Sequence, residues 1–154
     1  MYEKKRYAQI NIWFWSAIIS ILLIADAITN WIMLIIADRE IANVSARVSL
    51  IFSILFLVCA VVQIVLQIII HINYTRDSNS EDSICIIVLF SVLFVIIGAL
   101  LIVRTLGWFN QLSLQVLFPT HGLITSLSIF YGFCACFAIH EVNDFYPYYK
   151  KYEK

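Results

Sequence analysis

Between Ile10 and Ala37 the chain carries a single charge, Asp26. About 20 mostly apolar residues in a helix cross a bilayer, so this run spans one with some tilt. Asp26 and Asn30 stand one helical turn apart, with Thr29 beside them. A carboxylate at such depth costs roughly 2.5–3.5 kcal/mol or more, so it must face protein or water rather than lipid. The rest of the chain therefore has to fold around it.

Three further apolar blocks follow, at Val48–Ile72, Ile84–Val103 and Leu123–His140. They explain a composition that is 62% hydrophobic and only 13% charged, where soluble domains are nearer 45–50% and about 25%. The expected fold is an all-α membrane protein, a four-transmembrane-helix antiparallel bundle forming one domain over residues 1–154. Met1–Arg6 is short and basic, and the run behind it exceeds a signal-peptide core, so it reads as an uncleaved signal anchor. Net charge is zero and basic clusters are lacking, which leaves nucleic-acid binding without support.

Along the second span Ser49, Ser53, Ala60, Gln63, Gln67 and His71 recur at helical spacing, with Phe56 in the one gap. Small and polar residues mark helix–helix interfaces in lipid, because apolar ones gain nothing by leaving the acyl chains. Asp26, Asn30, Gln63 and Gln67 form the expected intramembrane polar cluster. Folding spans 1 and 2 about a loop at residues 38–47 sets Asp26 level with Cys59 and Gln63 about one turn deeper, which makes a Gln63–Asp26 hydrogen bond an expectation dependent on register.

In the third span Ser91, Gly98 and Thr105 repeat every seven residues, and Gly98 permits close backbone approach. In the fourth, Ser128, Gly132 and Cys136 make a small-xxx-small ladder suited to packing within the bundle or in a dimer. Between them, Leu112, Leu114, Val116 and Phe118 alternate with Ser113 and Gln115 in a strand-like period. Pro119 and Gly122 then read as the turn into the last span. That stretch is expected at the membrane surface, as a recognition loop, with Trp108 and Phe109 at the interface.

Topology follows from Lys and Arg. Lys4, Lys5, Arg6, Arg76, Lys150, Lys151 and Lys154 fall on one side, against Arg39, Arg47 and Arg104 on the other. Both termini are thus expected to be cytoplasmic, in the plasma membrane or an endomembrane. Sequons at Asn43 and Asn73 then lie on opposite sides.

Four cysteines, Cys59, Cys85, Cys134 and Cys136, lie in or at the edge of spans, so a disulfide-stapled ectodomain is not expected. Cys85, at the cytoplasmic edge of span 3, is a candidate for palmitoylation. His140-Glu141-Val142-Asn143-Asp144 begins like a zinc-protease motif but has Asp144 where the second histidine belongs. No catalytic set, cofactor motif or metal site is expected.

With its short basic N-terminus, four spans, inward termini and aromatic tail Phe145-Tyr146-Pro147-Tyr148-Tyr149, the chain resembles MARVEL-type and lysosome-associated four-span proteins. That resemblance implies a non-catalytic role in membrane organisation, trafficking or assembly, with the bilayer, other membrane proteins or further copies as partners. Asp26, Thr29 and Asn30, with Val61-Val62-Gln63, are locally similar to the first two spans of XK-related lipid scramblases. That similarity implies the alternative, an oligomeric transport or lipid-moving subunit using the Asp/Gln face.

Overall fold

A computed structural model describes residues 2–36, 39–74, 80–110 and 114–145. Every one of these but Asn110 is helical. The helices are α1 (Tyr2–Ile36), α2 (Arg39–Tyr74), α3 (Ser80–Phe109) and α4 (Leu114–Phe145). Each is long and apolar enough to cross a membrane.

Consecutive helices pack together and α4 closes back on α1, so α1 faces α3 and α2 faces α4 across the diagonals. Ala8 near the start of α1 and Val142 near the end of α4 line one cavity, which places the start of α1 and the end of α4 at the same end of the bundle.

The buried positions of α2 are Ser45, Ala46, Ser49, Ser53, Phe56, Ala60, Gln63 and Gln67. Steps alternating between three and four residues, repeating in sevens, are those of a left-handed supercoil. The same steps appear on α4 at Leu117, His121, Ile124, Ser128, Tyr131, Ala135, Ala138 and Val142. The outer faces carry Ile, Val, Leu and Phe, such as Ile54, Val58, Val61 and Val65 on α2. A water-soluble bundle would reverse this order; here polar groups and small residues enter the core and aliphatics meet lipid.

The helices are longer than the apolar runs suggest, and three expectations change. Residues 39–47 belong to α2, and Asp26 comes level with Ser49, not Cys59. Arg104 is not in a loop but inside α3, which runs on to Phe109. Leu114–Phe118 is helix, not strand or recognition loop, and Pro119 sits within α4. Pro119 lies past the first turn of α4, so it leaves the Gln115 carbonyl, four residues back, without its backbone donor, a loss that transmembrane helices tolerate. Thr120 Oγ1 donates to the neighbouring Val116 carbonyl at 2.7 Å, a separate side-chain bond on the same turn. The remaining connector, residues 111–113, lies outside the described residues, as do residues 75–79 with Arg76 and the tail from Tyr146 with its lysines.

Candidate functional site

Asp26, on the inner face of α1, is 1% exposed and meets Arg104 from α3, also 1% exposed, across the diagonal. The guanidinium donates through Nη1 to Oδ2 at 2.5 Å and through Nη2 to Oδ1 at 2.7 Å. This two-point fork suits the planar geometry of both groups and cancels both charges. A lone charge at this depth is expensive, whereas a hydrogen-bonded pair is a local dipole.

Asn30 supports the pair from one turn along. Its Nδ2 donates to Asp26 Oδ1 and to the Asp26 carbonyl, each at 3.0 Å. Its Oδ1 accepts from Ser49 of α2 at 3.0 Å and from Trp108 Nε1 of α3 at 3.1 Å. An indole only donates, so the oxygen must face Trp108, and all four hydrogen-bonding positions of the amide are filled.

From α4, fully buried His121 contacts the Ala27 carbonyl through Nε2 at 3.1 Å. A carbonyl only accepts, so Nε2 carries the proton. Trp31 packs edge-on to the His121 ring and donates to Thr125 at 3.3 Å. Thus all four helices meet in one polar layer. Within it Arg104 Nε and His121 Nδ1 are buried with no hydrogen-bond partner among the described residues.

A second layer lies about 15 Å further along the axis, ten residues at 1.5 Å each. There Gln63 of α2 donates to Ser16 Oγ of α1 at 3.0 Å and accepts from the Tyr131 hydroxyl of α4. Phe90 of α3 packs edge-on to Tyr131 and closes the ring. Gln63 therefore does not bond Asp26; with α2 beginning at Arg39 the register shifts and pairs it with Ser16. Between the layers Ile19, Leu23, Phe56, Ile97, Leu101 and Ile124 fill the interior.

Gln67 lies a turn beyond Gln63, and both its amide atoms are buried without a partner among the described residues. Asn11 of α1 is in the same condition. The sequence-expected cluster thus divides into Asp26 with Asn30, Gln63 by itself in a second network, and Gln67 unbonded.

Of the expected packing residues, Ser49, Ser53 and Ala60 are buried on α2, and Gly98 on α3 faces Leu57 of α2. Ser128 is buried, but Gly132 is half-buried with open space beside it and Cys136 is exposed, so the ladder turns out of the bundle. Cys85 is exposed at the start of α3, and all four cysteines are free thiols. His140 is exposed, and the side chain of Asp144 lies outside the described residues.

Sequence reasoning missed Arg104, Trp108, His121 and Tyr131. Arg104 was hidden because the apolar run stops just before it. The available signal was its face: Ile97, Leu101, Arg104 and Trp108 follow one another in three- and four-residue steps.

Four apolar helices around a polar core define a multi-pass membrane protein of the all-α four-helix-bundle class. No family model matches the chain, and neither do the curated proteins or the solved structures.

Proposed function

We propose that this is a non-catalytic multi-pass membrane protein that organises membranes or serves as a trafficking or assembly partner. The carrying observation is the closed state of the Asp26 carboxylate, which is engaged by Arg104 and Asn30 from within the bundle. A carboxylate held in this way acts as a clamp between α1 and α3. A transport role favours a continuous polar route, and the apolar layer of Ile19, Leu23, Phe56 and Leu101 separates the two polar networks.

Partners in this reading are the bilayer and other membrane proteins or further copies, the latter meeting the outward Gly132–Cys136 face. Both termini are cytoplasmic. The layout resemblance to MARVEL-type and lysosome-associated proteins supports the same role.

Reconstituted vesicles test it. Neither the wild-type protein nor Asp26→Asn should move ions or lipids faster than protein-free vesicles. Flux that is present in the wild type and lost in a folded Asp26→Asn variant would establish the transport role instead.

A further inference from the structure

A groove of about 360 Å³ lies between the first turns of α1 and the last turns of α2. Small-molecule sites run from about 300 to 1,000 Å³. The α1 wall carries the rings of Tyr7, Phe14 and Trp15; the α2 wall carries Leu66, Ile69 and Ile70. Tyr7, Phe14 and Ile69 are about half exposed, so the groove opens sideways, toward the surroundings of the bundle. Those surroundings are lipid.

One lining residue is out of keeping with this wall. Asn11 is 7% exposed, lines the groove, and neither its amide nitrogen nor its oxygen has a hydrogen-bond partner among the described residues. An amide left unpaired at that depth costs free energy that a matching ligand group would recover.

The chemistry of that amide selects the ligand. It offers a donor and an acceptor side by side, and a hydroxyl is the lipid group that both accepts and donates at one atom. Phosphate is disfavoured because none of the lining residues is charged. Two-chain hydroxyl lipids bring additional ester or amide groups, for which the groove has only Asn73, near the end of α2. A rigid ring system with a single hydroxyl suits aromatic walls and loses little freedom on binding.

Depth agrees. Asn11 stands five residues from Arg6, about 7 Å along the helix, just beneath the headgroup level at which a membrane sterol holds its hydroxyl. We propose that the α1–α2 groove is a sterol-class lipid site, with Asn11 holding the hydroxyl and Tyr7, Phe14 and Trp15 flanking the rings. The site is independent of whether the protein organises membranes or transports.

Photoactivatable, alkyne-tagged sterol in phosphatidylcholine vesicles holding the full chain provides the test. Label should concentrate on peptides containing Tyr7–Trp15 and Leu66–Ile70, and excess untagged sterol should remove it. A sterol whose hydroxyl is replaced by hydrogen should compete roughly tenfold less well, the usual worth of one hydrogen bond. Asn11→Leu should erase that preference while keeping the fold, since it removes an unpaired buried amide.

Label spread evenly over the outer faces of all four helices would overturn the proposal. So would equal competition by the hydroxyl-free sterol, a measurement on the wild-type chain that needs no variant. Diacylglycerol competing as well as sterol would likewise overturn it.

Discussion

Removing one member of the Asp26–Arg104 pair leaves the other ionised, buried and unpaired, and that costs more than the pair itself contributes. Asp26→Leu and Arg104→Met are each expected to lower unfolding free energy in detergent micelles by roughly 3–5 kcal/mol. The double variant should recover most of the loss, because two apolar side chains replace a dipole without stranding a charge. A denaturant series on all four proteins gives the coupling directly; additive losses would mean that the two charges act independently. Tyr131→Phe strands the Gln63 carbonyl oxygen and should cost less, roughly 1 kcal/mol, as is usual for hydrogen bonds between membrane helices. At this scale Asp26 and Asn30 were legible because polar groups inside an apolar run announce themselves. Arg104 was not, because a cation at the end of such a run also looks like the start of a loop.

The elements were legible from periodicity, and their ends were not. Ser49, Ser53, Phe56, Ala60, Gln63 and Gln67 could be read as an inward stripe and are all buried, while His71 at its end is half-buried. The helix boundaries depend on residues such as Arg39 and Glu40, good helix formers whose charge makes them read as a loop beside an apolar run, and on Pro119, whose local preference opposes continuation. The two-residue gap between α1 and α2 then moved the register of every contact between them, which is why Gln63 meets Ser16. Gly98 tests the α2–α3 contact. A Cβ built there lies 3.6 Å from Leu57 Cδ2, an ordinary van der Waals separation. Gly98→Ala should therefore keep the fold and gain roughly 0.5–1 kcal/mol from the lost glycine flexibility. Gly98→Leu has to displace Leu57 and should lose roughly 1–3 kcal/mol. Thermal unfolding of both variants checks this; equal destabilisation by Ala and Leu would mean that the helices are closer than described.

For the whole molecule, the burial of Arg104 sharpens the orientation argument. An arginine paired inside the bundle no longer belongs to a loop, so the far side keeps only Arg39 and Arg47 against seven basic residues on the side of the termini. The bias that holds basic flanks in the cytoplasm is thus stronger than the sequence count suggests. Two local markers report on it. Cys85 is exposed at the start of α3, at the end of the bundle shared by both termini. Asn73 lies at that same end, and Asn43 lies within α2 at the opposite end, where a helical sequon at the membrane edge is a poor substrate for glycan transfer. In cells that display the chain at their surface, a membrane-impermeant maleimide should leave Cys85 unlabelled until the plasma membrane is opened, in a chain whose other three cysteines are changed to alanine. Asn73 should carry no glycan, and its change to Gln should leave electrophoretic mobility unaltered. Glycan on Asn73 would put both termini outside, and the basic residues would then mark the wrong face of the membrane.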